Sequence, residues 1–126
     1  MSVELQALGW IAGRFLLGGL FVLGGVQHFF SLEALSQAIA KRGIPAPRVV
    51  LVFGSLFQII GGLAFVIGLY VQWAALALIF FTLLASVLLI NFWDMAGAER
   101  EAAVRNWQSN LAIIGGLMIA AAYANG

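Results

Sequence analysis

A chain of 126 residues that is 63% hydrophobic and 9% charged, with a mean hydropathy of +1.07, is too apolar for a soluble domain, in which about a quarter of residues carry charge. A net charge of +1 with no basic cluster excludes a nucleic-acid partner. The absence of cysteine excludes thiol redox chemistry, iron–sulfur ligation and cysteine metal sites, and the single His has no second ligand at metal-binding spacing.

The first apolar segment, residues 5–30, reads as a retained membrane span rather than a secretory signal. It lacks a basic start and a small-residue cleavage site, and it carries Arg14 inside it. A guanidinium there costs about 2.5–3.5 kcal/mol on insertion scales, so something should compensate it. At 100° per residue, Arg14, Gly18, Phe21, Gly25 and His28 fall on one stripe, which should point into a bundle. The alternative is that Arg14 only snorkels outward to the headgroups.

The first connector holds a second element. Ser31 can cap a short helix from Leu32 to Arg42 with Leu32, Leu35 and Ile39 on one face, and Gly43 stops it before Pro45 and Pro47. Such a helix lies amphipathically at the membrane surface.

From Val49 to Trp93 there is no Asp, Glu, Lys or Arg, with an interruption only at Leu69–Trp73. The stretch therefore reads as two spans, residues 47–70 and 73–92, joined by a tight hairpin. Gln58 shares a face with Gly54, Gly61 and Gly62, a close helix contact, and is the expected partner of Arg14. Asn91 ends the third span.

The third connector, Ala98–Arg105, contains Glu99, Arg100, Glu101 and Arg105; its Glu101–Arg105 pair at i,i+4 should extend the fourth span, residues 106–123, into water. The plainer alternative makes both connectors merely solvated links. Asn110 lies about one turn into the fourth span, at a depth similar to His28 and Asn91, so these three can form a second polar cluster. Each amide taken singly reads as an interhelical hydrogen bond of about 0.6 kcal/mol; only convergence would make a site.

The fold class is therefore all-α: one integral membrane four-helix bundle, with a short amphipathic helix in the first connector. Lys41, Arg42, Arg48, Arg100 and Arg105 all fall in the first and third connectors or at their edges. The positive-inside rule then places those connectors in the cytoplasm and both termini outside. Trp10, Tyr70, Trp73 and Tyr123 would mark the outer interface, and Trp93 and Trp107 the inner one. Glycines support close packing, with a Gly9–Gly13 step and pairs at Gly18-Gly19, Gly24-Gly25, Gly61-Gly62 and Gly115-Gly116. Ile-Gly-Gly-Leu occurs at both Ile60 and Ile114 and hints at a duplicated hairpin.

In their order and spacing, several runs resemble the DoxX family of small four-helix bacterial membrane proteins. They are Gly24-Gly25-Val26-Gln27-His28-Phe29, Gly43-Ile44-Pro45-Ala46-Pro47, Gln58-Ile59-Ile60-Gly61-Gly62, Asn91-Phe92-Trp93, Gly97-Ala98-Glu99-Arg100 and Asn110-Leu111-Ala112. The resemblance implies a multi-pass protein of the bacterial inner membrane, in a family named after membrane subunits linked to thiosulfate:quinone oxidoreductase and quinol oxidation. Arg14 matches the basic residue of the family's first helix, and His28 falls where many members carry Lys or His. At Gln58 many members carry Glu; the amide removes an ion-pair partner for Arg14 and a titratable group, which weakens any acid–base mechanism.

Two readings of function remain open. In the first, the protein is a membrane subunit binding a quinone or similar lipophile through Arg14, His28, Gln58, Asn91 and Asn110, with Phe21, Phe53 and Phe57 as apolar walls. It has no complete catalytic constellation and no signature for a covalently bound cofactor. It would be at most a subunit of a quinone-linked oxidoreductase, with electron transfer supplied by a redox partner. In the second, it is a non-catalytic scaffold in which polar residues and glycines hold a membrane partner or further copies of the chain. A small transporter or channel is a third and weaker reading, since four helices without a broken helix leave little pathway.

Overall fold

The computed structural model describes residues 2–125. Among them lie five α-helices and one short 3-10 turn: α1 (Val3–Phe29), α2 (Leu32–Lys41), α3 (Pro47–Ile67), α4 (Val71–Leu89), the turn Phe92–Asp94, and α5 (Gly97–Asn125). α1 starts where Ser2 Oγ accepts a hydrogen bond from Leu5 N at 3.1 Å. Ser31, expected to cap α2 with its hydroxyl, makes no side-chain cap; its carbonyl instead accepts from Leu35 N at 3.0 Å. α2 stops at Lys41, and Gly43 at φ +79 turns the chain toward Pro47, which opens α3 at its first turn. Ile39 is buried, so the expected inward face of α2 is correct.

The hairpin between the central helices is tight, as expected, but falls earlier, at residues 68–70 in place of 71–72. Gly68 N and Leu69 N both donate to Ala64 O, at 3.0 and 2.8 Å, ending α3 at Ile67. Gly68 sits at φ +85 and Tyr70 at φ +49, and α4 begins at Val71. The charged segment Glu99–Arg105 is continuous helix with the rest of α5, as the i,i+4 pairing predicts.

Among the described residues, three helical stretches are long and apolar enough to cross a membrane, Val3–Phe29, Pro47–Ile67 and Val71–Asp94. α5 runs antiparallel beside α4. Trp107 Nε1 donates to Ile90 O at 2.6 Å, Asn110 Nδ2 donates to Ser86 Oγ at 2.9 Å, and Leu117 joins Leu78 in the core.

The bundle is built as two tight pairs. α1 and α3 meet backbone to backbone: a Cβ on Gly18 would lie 2.8 Å from Gly62 O, and one on Gly62 would lie 2.8 Å from Gly18 O. Small residues permit this approach where lipid gives no hydrophobic drive. α4 pairs with α5, and the pairs join where Gly61 faces Leu78 and Phe57 stacks on Phe81 at 5.7 Å. α1 and α5 touch through Trp10 on Tyr123 and Leu17 beside Gly116.

The interior is graded along its axis. Phe65, Leu78 and Leu117 fill the half nearer the termini, whereas Ser55 and Ser86, both 1% exposed, occupy the half nearer the connectors. Outside, side chains such as Leu16, Phe53 and Ile119 are exposed, as a surface solvated by lipid tails requires.

Candidate functional site

The stripe on α1 points inward as its period predicts: Gly18, Phe21 and Gly25 are buried, and Arg14 and His28 are half-buried at its ends. Arg14 reaches toward the termini end. Its guanidinium lies against Gly68, in the space a side chain there would fill, at the carboxyl end of α3. A helix carboxyl end favours a cation, and this offsets part of the insertion cost. One turn back, the Trp10 ring lies 5.4 Å from the guanidinium carbon, a cation–π contact. Trp10 is itself held by Tyr123, with ring centroids 4.7 Å apart.

Among the described residues no carboxylate pairs with Arg14; the one ion pair there is Arg48–Glu33 at 3.7 Å, on the surface at the other end. Arg14 Nε is buried without a hydrogen-bond partner. The guanidinium looks into an open cleft of about 480 Å³ lined by Trp10, Arg14, Gly68, Tyr70, Val71, Gln72, Trp73, Tyr123 and Ala124. Among the described residues, Arg14 is the single charged group in that lining. The aromatic walls of the cleft are Trp10, Tyr70, Trp73 and Tyr123. Phe21 instead lies in the core, Phe53 is exposed, and Phe57 stacks on Phe81.

Gln58 does not partner Arg14. Its Nε2 donates to Phe21 O at 2.9 Å and fits against Gly24, where a Cβ would approach within 2.9 Å. Phe21 lies two helical turns from Arg14, about 10 Å along the axis, and the pairing of α1 with α3 brings Gln58 to Phe21 while Arg14 meets Gly68. The face assigned to Gln58 is right, and its expected partner is replaced by the Phe21 carbonyl.

His28, Asn91 and Asn110 are not joined to one another by hydrogen bonds. His28 Nδ1 pairs with Ser55 Oγ at 2.9 Å, linking α1 to α3, while Asn110 links α5 to α4 through Ser86. Asn91 lies beyond α4, its Nδ2 donating to Asp94 Oδ2 at 3.5 Å and its Oδ1 buried without a partner. It borders a second cleft at the connector end.

The hydroxyls were not singled out from the sequence. Thr82 Oγ1 donates to Leu78 O and Ser86 Oγ to Thr82 O, both at 2.7 Å, one turn back along α4. Back-bonding of this kind hides Ser and Thr in an apolar helix; the spacing Leu78, Thr82, Ser86 was the available signal. Gly68 was likewise missed.

Chemically, the Arg14 cleft offers a permanent cation, two phenols, an amide and two indoles. These can hold and orient a carbonyl or anionic oxygen beside an aromatic wall. Among the described residues, the cleft lining includes no carboxylate, imidazole or thiol.

Comparison with known proteins adds the following. The family model described as DoxX matches residues 9–91, a stretch that includes Arg14, His28, Gln58 and Asn91 and ends before Asn110. The Inner membrane protein YphA of Escherichia coli (strain K12) is 24% identical over 102 residues, covering 81% of this chain and 73% of that protein. No solved structure matches the chain.

Proposed function

This chain belongs to the DoxX family of inner-membrane proteins, and on that footing we propose that it is a membrane subunit that holds the polar head of a quinone-like lipophile in the Arg14 cleft. The observation that carries this reading is Arg14 itself: a charge with no acidic partner among the described residues, its Nε without a hydrogen-bond partner among them, set in an open aromatic cleft. A purely structural arginine at this cost would be expected to have its donors met. A quinone ring can lie against Trp10, Tyr70 or Trp73 while a carbonyl oxygen accepts from the guanidinium, and its tail leaves between the helices.

In this reading α5 is the fourth span, since it runs beside α4 at equal depth through Trp107–Ile90 and Asn110–Ser86. The basic connectors face the cytoplasm and the Arg14 cleft opens toward the periplasmic leaflet. The chain supplies binding and orientation. Electrons pass to or from a redox partner that docks on it. The test is lipid extraction from the gently solubilised protein: a quinone is retained by the wild type and lost from Arg14→Gln.

A scaffold reading has one observation of its own. Gly9 and Gly13, a GxxxG step, have nothing within 4 Å of the position a Cβ would take, so this face of α1 is unfilled within one copy. Under that reading Gly13→Leu abolishes a defined membrane complex while Arg14→Gln leaves it intact.

A further inference from the structure

At the connector end, opposite the Arg14 cleft, a second open cleft of about 470 Å³ is bounded by charges of both signs. Lys41 and Arg42, at the carboxyl end of α2, form one side; Asp94, in the 3-10 turn, and Glu99, in the first turn of α5, form the other. Val87 and Leu88 of α4 border it, and Trp93 is half-exposed at its rim.

Four opposite charges around one cleft would ordinarily neutralise each other directly. Here no ion pair joins the basic side to the acidic side among the described residues. The basic side is held back by a specific contact: Arg42 Nη2 donates to Leu89 O at 3.0 Å, one of the carbonyls left open at the end of α4. On the acidic side, Asn91 reaches Asp94 only at 3.5 Å and keeps its Oδ1 buried without a donor. The cleft therefore presents free donors on one side and free acceptors on the other, with no net charge among the four.

We propose that this cleft binds the headgroup of a zwitterionic phospholipid, its phosphate against Lys41 and Arg42 and its primary ammonium against Asp94 and Glu99. A simple anion would meet the two carboxylates, and a simple cation the two basic groups. A dipolar head satisfies both, through charge-assisted hydrogen bonds. The lipid source follows from the surroundings. Val87 and Leu88 are exposed along α4, where acyl chains run, and Trp93 stands where an indole marks the membrane interface. This site is independent of the Arg14 cleft and of what that cleft holds.

The test is native mass spectrometry of the delipidated protein mixed with equimolar phosphatidylethanolamine and phosphatidylglycerol of identical acyl chains. The wild type retains phosphatidylethanolamine by about fivefold over phosphatidylglycerol, the scale of one moderately screened charge contact. Asp94→Asn with Glu99→Gln reverses the preference toward the anionic lipid. Lys41→Gln, which leaves the Arg42–Leu89 contact in place, weakens retention of both lipids, and circular dichroism shows the fold intact. Equal retention of the two lipids by the wild type, or a preference untouched by the acidic substitutions, overturns the proposal. Displacement of bound lipid by equimolar glycerophosphoethanolamine overturns its assignment to a lipid.

Discussion

The Arg14 guanidinium occupies the space that a side chain on Gly68 would fill, at the residue where α3 ends and the backbone turns left-handed at φ +85. Gly68 thus answers two needs at once, a conformation that L side chains resist and a seat for a charge. Gly68→Ala should destabilise the protein by about 1–2 kcal/mol from backbone strain alone, and it should displace Arg14 as well. Thermal unfolding in detergent reads the first effect and loss of bound lipophile the second. A Gly68→Ala protein with unchanged stability and unchanged binding would remove Gly68 from the site.

The glycines of α1 and α3 divide into two classes that substitution should separate. At Gly18 a methyl group would run into Gly62 O, a backbone atom that cannot step aside, so Gly18→Ala and Gly62→Ala should each cost about 1–3 kcal/mol through overpacking. Gly9→Ala and Gly13→Ala meet nothing and should be neutral or stabilising by up to about 1 kcal/mol, the helix-propensity gain. Denaturant titration of the four variants makes the comparison. Destabilisation at Gly13 would reveal a partner on that face.

Gln58 is tied to Phe21 O and not to Arg14, and its substitutions should report that. Gln58→Leu should cost roughly 0.6–1.7 kcal/mol, the range of a single interhelical hydrogen bond in a membrane, and leave binding in the Arg14 cleft unchanged. Gln58→Glu should be worse than Gln58→Leu at neutral pH, because a carboxylate would face a carbonyl with Arg14 about 10 Å away along the axis. Recovery of Gln58→Glu stability on acidification would confirm the sign. Equal stability of the two variants, or loss of binding in Gln58→Leu, would return Gln58 to the Arg14 site.

The chain contains no cysteine, so single-cysteine labelling needs no background removal. With α5 spanning the membrane, Ser2→Cys and Ala124→Cys should both react with an impermeant maleimide on intact spheroplasts. Gln37→Cys on α2 should react only after permeabilisation. Labelling of one terminus without the other would mean an odd number of spans.

Faces were legible in the sequence and side-chain partners were not. The 3.6-residue period placed Arg14, Gly18, Phe21, Gly25 and His28 on the inward stripe, and it buried Ile39 of α2. Whether Gln58 meets Arg14 depends on how far α3 slides along α1. That is fixed by backbone contact at Gly18–Gly62 and by closure of α3 at Gly68, which no periodicity reveals. The expected cluster of His28, Asn91 and Asn110 failed for the same kind of reason. Similar depth does not fix direction: Asn110 turns toward Ser86 on α4, and Asn91 leaves the helix altogether for the turn with Asp94. Ser55 and Ser86 escaped notice because hydroxyls weigh little on a hydropathy scale, yet they anchor the interior of the connector half. The sequence grouped Trp10, Tyr70, Trp73 and Tyr123 at one end of the bundle, and their gathering around Arg14 was not legible.

The claim that the Arg14 cleft is a lipophile site is tested most directly by native mass spectrometry with lipid extraction on wild type, Arg14→Gln and Gln58→Leu, purified in parallel from the same membranes. The account predicts a stoichiometric quinone on the wild type and on Gln58→Leu, and its loss from Arg14→Gln while that variant remains folded. A wild-type protein free of quinone but held in a defined complex with another membrane protein, or a quinone retained equally by Arg14→Gln, would contradict it.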